Sequence, residues 1–181
     1  MGVVDFEVLT GMELHRRVIA QALMTAERTV WVATANLKDM HVPMARGRYR
    51  PVLEVMDRLA SAGVSFRVIH SDLPSRPFRR TLERFPRLHG GALELQVCPR
   101  SHWKLVVVDG RFAYLGSANF TGAGLGAKTE ERRNLEVGVV SGERGFVDRL
   151  AGLFDAFWMG EYCRRCGHRS HCPDPIEVDE G

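Results

Sequence analysis

The sequence predicts a layered α/β fold, followed by a small C-terminal Cys/His-rich appendage. Three observations predict it. Short β-branched runs alternate with segments of helical period. An Asp-Gly pair, Asp109-Gly110, joins two apolar runs and marks an antiparallel hairpin within that alternation. The 181 residues include 45% apolar and 26% charged side chains. That balance suits one packed domain and excludes collagen-like, coiled-coil and largely disordered chains.

In chain order, Val3 to Leu9 reads as a strand, and Gly11 to Glu27 carries Leu14, Val18 and Ala22 at helical spacing. Thr29 to Ala35 is β-branched and short, hence a buried strand. Asn36 to Pro51 is polar and Arg-bearing, which predicts a loop. Val52 to Ala62 is a helix closed by Gly63, and Val64 to His70 is a strand. Arg79 to Leu88 is a helix within a Pro- and Arg-rich stretch, and Leu93 to Val97 is a strand. His102 to Gly116 forms the hairpin. Thr121 to Arg133 is a Gly-rich loop, Leu135 to Val140 a strand, and Gly145 to Met159 an amphipathic helix. Residues 1–160 are read as the main domain, 161–173 as the Cys/His-rich appendage, and 174–181 as a disordered acidic tail.

Charge is unevenly spread. The net charge is +3, yet the last nine residues hold four acids and no base. Without them, 25 bases face 18 acids, a net of +7. The bases are 22 Arg and 3 Lys, and Arg binds phosphate bidentately. Arg46, Arg48, Arg50, Arg76, Arg79 and Arg80 are therefore candidate nucleic-acid contacts, although a lone surface Arg is ordinarily just solvated. No apolar run approaches the ~20 residues of a membrane helix. The N-terminus carries Asp5 and Glu7 and lacks a basic leader region. The chain is accordingly expected to be cytoplasmic, with no membrane segment.

Residues 101–120, SHWKLVVVDGRFAYLGSANF, carry the chemistry. A two-residue turn at Asp109-Gly110 would pair Val108 with Arg111, His102 with Ser117, and Lys104 with Leu115. His102, Lys104, Ser117 and, on an extended strand, Asn119 would then share one face. A single histidine in apolar surroundings is ordinarily a core residue. An imidazole, an ammonium, a hydroxyl and a carboxamide together make an anion clamp around a nucleophile or acid.

His102-x-Lys104, four residues, Asp109, six residues, then Gly116-Ser117-x-Asn119 resembles the HKD motif of the phospholipase D superfamily. Asn134-Leu135-Glu136 before an apolar run resembles its downstream Asn-x-Glu strand. The likeness covers about residues 1 to 158 and implies a phospholipase D-like mixed β-sheet flanked by helices on both faces. It also implies that His102 is the nucleophile and forms a phosphohistidine, with no metal needed for catalysis. By the same likeness, Lys104, Ser117 and Asn119 hold phosphoryl oxygens and Glu136 orients a His102 ring. Asp109 is the motif's third letter, but its place in the turn favours a mainly structural role. The chain carries one such motif, as does the branch containing bacterial phospholipase D-type endonucleases and Zucchini-type proteins. That branch implies a homodimer acting on nucleic acid, DNA or RNA. Two alternatives stand beside this reading, a lipid phosphodiesterase and a catalytically silent nucleic-acid-binding scaffold dimer. Met40, Val42, Pro43 and Met44 are the hint of an acyl site.

Cys163-x2-Cys166, followed by His168, His171 and Cys172, has the look of a chelating set. A structural zinc is expected there, with Cys98 or a residue of a second copy as alternative ligands.

Overall fold

The computed structural model describes residues 5–177. The predicted strand positions Val3 and Val4, and the acidic residues Asp179 and Glu180, lie outside them. The β-branched and apolar runs form one seven-stranded sheet. Its strands are β1 (Glu7–Thr10), β2 (Thr29–Thr34), β5 (Ser65–His70), β6 (Leu93–Val97), β7 (Leu105–Val108), β8 (Phe112–Gly116) and β9 (Val137–Ser141). Between β2 and β5, β3 (His41–Pro43) and β4 (Tyr49–Pro51) pair as a separate ribbon. The sheet order is β1-β9-β8-β7-β2-β5-β6. β2, β5 and β6 run parallel, and every other pairing is antiparallel.

Helices cover both faces. Helical residues 11–25 (α1), α2 (Val52–Ser61) and α3 (Arg76–Leu82) pack on one face through Leu14, Val18, Leu53, Met56 and Phe78. α4 (Arg144–Trp158) packs on the other through Val147, Leu150, Phe154 and Phe157 against Leu105, Val107 and Ala113. The central strands β2 and β7 are nearly continuous apolar runs because both of their faces are covered, whereas edge strand β6 keeps Glu94 exposed. No helix among the described residues is long and apolar enough to cross a membrane.

Four expectations need correction. The stretch 36–51 is not wholly loop, because Met40 and Val42 are buried to 1% and 0% exposure and anchor the β3–β4 ribbon. α3 starts at Arg76, ahead of the predicted Arg79, because the Ser75 hydroxyl caps the Phe78 amide at 3.3 Å and Pro77 suits a first helical turn. The last strand starts at Val137, which leaves Leu135 fully exposed. The tail does not leave the domain at 174, since Asp174 accepts a 2.9 Å hydrogen bond from the Val97 amide on edge strand β6.

Candidate functional site

The sheet register gathers the motif at one edge. Thr34, His70 and Val97 end β2, β5 and β6 in adjacent positions. Antiparallel β7 begins there, with Leu105 opposite Ala33. β8 ends there at Gly116 and β9 starts there. The segments just beyond these strand ends carry His102, Lys104, Ser117, Asn119 and Glu136.

The predicted pairing is displaced by one residue. Asp109 and Gly110 both have positive φ, 55° and 64°, and Arg111 N donates to Val108 O at 2.9 Å. That is the expected tight turn, but the ladder pairs Val108 with Phe112 and Leu105 with Leu115. Lys104 therefore lies opposite Gly116, whose amide donates to the Lys104 carbonyl at 3.1 Å. Strict alternation would send His102 and Ser117 to different faces. Both lie outside the regular strands, where other bonds aim them.

Lys104 is buried while His102 is exposed. Lys104 Nζ donates to the His102 carbonyl at 2.9 Å and stands 3.1 Å from Nδ1 and 3.2 Å from Nε2 of the ring. Burial holds the Lys104 pKa below that of a free lysine, against the opposing pull of the Glu136 carboxylate. Ser117 donates to Glu136 and accepts from the Val137 amide at 3.1 Å. Asn134 Nδ2 donates to the other Glu136 oxygen at 3.1 Å. Thus Glu136 orients Ser117 within the chain, not its own His102.

Asn119 is anchored through its carbonyl oxygen. Oδ1 accepts from the amides of Ala35 and Asn36 at 3.0 and 3.1 Å and lies 3.2 Å from the Thr34 hydroxyl. That geometry leaves the amide nitrogen as the end able to serve a ligand. Residues that sequence reasoning missed set this turn. Thr34 Oγ1 accepts from Phe120 N at 2.9 Å, and the Tyr114 hydroxyl accepts from Ala118 N at 3.1 Å. Burial pushes the Tyr114 phenol up to about 12. Arg133 ties the Gly-rich loop to α1, donating to the Gly11 and Gly124 carbonyls at 2.8 Å each. The Thr at the end of a buried strand and the Tyr two residues before the motif glycine were the available signals.

Asp109 is not brought to the site. It occupies the far end of the hairpin, where its carboxylate accepts from the amides of Glu27, Arg28 and Thr29 at 2.8–2.9 Å. Burial pushes its pKa up, but these bonds and the Arg28 guanidinium together hold it below the usual carboxylate range. Arg46, Arg48, Arg50, Arg76, Arg79 and Arg80 are all exposed, on the connections that leave β2 and β5 at the motif's edge. Arg50 also faces Glu54 at 3.5 Å. His15 and His70 are buried, and desolvation holds both imidazoles below their ordinary pKa.

Among the described residues, no three His, Cys, Asp or Glu side chains are set around one point for a metal. Cys163, Cys166 and Cys172 line a cavity beside Cys98, Trp103 and Tyr162. His168 and His171 are exposed and do not line it, so the structure does not place them with the cysteines. A hydrogen bond from Arg100 holds the Cys166 thiol below its usual pKa, while burial pushes Cys98 up.

A family model described as "Cardiolipin synthase, PLD-like domain" matches residues 19–158. Comparison with curated proteins gives no match. NucT from Helicobacter pylori superposes with a TM-score of 0.59 at 12% identity, over 84% of this chain and 94% of that one. Nuc from Salmonella typhimurium, a phospholipase D family member, gives 0.57 at 16% identity, over 86% and 95%. TrmBL2, an archaeal chromatin protein, gives 0.56 at 13% identity, over 87% of this chain and 53% of that one.

Proposed function

The chain belongs to the PLD-like domain family whose model spans residues 19–158, and from that premise we propose a metal-independent phosphodiesterase that cleaves nucleic acid through His102. The observation that carries this reading is the pairing of buried, desolvated Lys104 with the exposed His102 imidazole, 3.1 Å apart. A buried ammonium is costly unless it meets an anion, and a phosphodiester supplies one beside a ring nitrogen able to attack phosphorus.

In the proposed cycle a His102 ring nitrogen forms a bond to phosphorus and the P–O bond to one nucleoside oxygen breaks. Lys104 and the Asn119 amide hold the non-bridging oxygens, and the Ser117 hydroxyl, whose one proton goes to Glu136 in the free chain, joins them by turning that proton to the phosphate. A proton must reach the leaving oxygen, and a base must then activate water to break the P–N bond. His70 stands at the same sheet edge but is 1% exposed, with Nδ1 held at 2.7 Å from the Asp72 carbonyl. We therefore assign the second role to His102 of a second copy.

The sheet offers a surface for that copy. Val8, Val139 and Leu115 form one cross-strand row on the same sheet face as α4, beyond the part that the helix covers. Val8 is 58% and Leu115 40% exposed, and the neighbouring Val137 is 52% exposed. These side chains flank Ser117 and Glu136, so pairing here would bury an apolar patch and bring two half-sites together.

Nucleic acid is favoured over lipid because the exposed arginines leave the same sheet edge, whereas Met40 and Val42 are buried in the core. TrmBL2, whose fold this chain shares, is described as binding DNA. The test is a substrate panel with EDTA present: single- and double-stranded DNA and RNA, against phosphatidylcholine and cardiolipin vesicles. Cleavage of nucleic acid by wild type and not by His102→Ala is expected. Phosphatidyl hydrolysis alone would establish the lipid reading. Salt-sensitive nucleic-acid binding with no hydrolysis would establish the scaffold.

A further inference from the structure

The appendage after α4 has no core of its own. Between 161 and 177 the half-buried side chains are Cys163, Cys166, Cys172, Asp174 and Ile176, and the others are exposed. Its backbone is a series of turns with one 3-10 turn, Arg169–His171. A segment this small cannot be ordered by apolar burial and needs a staple.

The three cysteines line one cavity and Cys98 lines it from the end of β6, although no three of them stand around one point before a metal draws them in. All four are free thiols. Cys98 stands in a turn at the end of β6, where the Ser101 amide donates to the Cys98 carbonyl at 2.9 Å. Arg100 Nη1 adds a 3.2 Å hydrogen bond to Cys166 Sγ, bridging the appendage and the β6–β7 connection. The histidines do not compete, since both are exposed and His171 Nδ1 lies 2.9 Å from Ser170 Oγ.

We propose that Cys98, Cys163, Cys166 and Cys172 bind one tetrahedral zinc ion that fastens the appendage to the β6–β7 connection, four residues ahead of His102. Binding draws the 163–172 turns onto Cys98 as four thiols lose their protons and four Zn–S bonds of about 2.3 Å form. The net −2 charge of the tetrathiolate is offset by Arg100 and Arg169, both of which line the cavity. Four sulfur ligands in a tetrahedron suit zinc better than a hard cation.

The test uses the full chain, tag-free, purified in reductant without chelator, with metal measured by elemental analysis. About one zinc per chain is expected. Cobalt added to the stripped protein should give the charge-transfer and ligand-field bands of a tetrahedral tetrathiolate. Cys98→Ser should lose tight zinc binding, whereas His168→Ala and His171→Ala should keep it. If Cys98→Ser fails to fold, thiol titration of wild type decides, with four thiols reactive in the stripped chain and none in the zinc-loaded one. Absence of zinc with disulfides in its place, iron in place of zinc, full zinc in Cys98→Ser, or loss in a histidine variant would overturn the assignment. Metal counting does not depend on hydrolysis, so this result stands or falls separately from the proposed activity.

Discussion

The phenol oxygen of Tyr114 fills the space that a side chain on Gly116 would need, 2.5 Å from where its Cβ would lie. The same oxygen accepts the Ala118 amide, so one hydroxyl holds both sides of the Gly116-Ser117-Ala118 turn. The motif glycine is thus a packing requirement imposed by Tyr114 and by the β9 backbone, where Gly138 Cα and the Val137 carbonyl oxygen would each lie 2.7 Å from the same Cβ. Gly116→Ala should cost about 1–3 kcal/mol by overpacking. Tyr114→Phe should cost about 1 kcal/mol through the orphaned amide. Because the two sites share one oxygen, the double variant should depart from additivity in denaturant unfolding. Additive costs would refute the coupling.

Lys104 should set the alkaline limb of activity. Its depressed pKa means that the ammonium is lost at a lower pH than for a free lysine. Clamping of the phosphoryl oxygens needs the charged form, so kcat/KM should fall as pH rises through that value. Lys104→Arg should retain charge and remove the limb, at reduced rate. Lys104→Met should lose about 10²–10³ in kcat, the scale of one preorganised donor. A pH profile unchanged in Lys104→Arg would exclude the assignment.

Asp109 should behave as a structural residue. Its folded pKa is lowered, so its carboxylate stabilises the protein above the unfolded value, near 3.9. That contribution is lost as pH falls through the folded pKa. Asp109→Asn should destabilise by about 1–3 kcal/mol at neutral pH. The gap to wild type should close in acid. Loss of hydrolysis in a folded Asp109→Asn chain, with stability unchanged, would place Asp109 in the chemistry after all.

The motif was legible because it is a matter of spacing along the chain, and the central strands β2 and β7 because both of their faces are covered. The hairpin register was not. Asp109-Gly110 does form the turn, but Tyr114 must face the core with Val106 and Val140, its ladder partners. That burial selects a ladder one residue away from the one the turn alone suggests. The roles of Glu136 and Asn119 were also hidden, because their partners, Ser117 and the 34–36 turn, meet them only through the fold. The histidines of the appendage looked like ligands by sequence distance, whereas the turns there face the cysteines inward and the histidines outward.

Disrupting the open sheet face should separate association from folding. Leu115→Arg with Val137→Arg places two charges on a patch that is already solvent-facing, so helix and sheet content by circular dichroism should persist. Sedimentation velocity should then report a monomer, and hydrolysis should be lost although His102 and Lys104 are intact. Wild-type activity per chain should likewise fall on dilution through the dimer dissociation constant. A fully active monomer would remove the need for a second His102.

The arginines of α3 can be tested by salt. Arg76, Arg79 and Arg80 are exposed on one short helix at the motif's edge. If each neutralises one phosphate, binding by a catalytically inert His102→Ala chain should fall linearly in log affinity against log salt. Replacing all three by Gln should flatten that slope by about 2–3, at roughly 0.7–0.9 for each phosphate no longer neutralised. Affinity should drop evenly across sequences, because backbone contacts carry no base information. An unchanged slope would move the nucleic-acid path off α3, leaving Arg46, Arg48 and Arg50 on the β3–β4 ribbon as the next residues to replace.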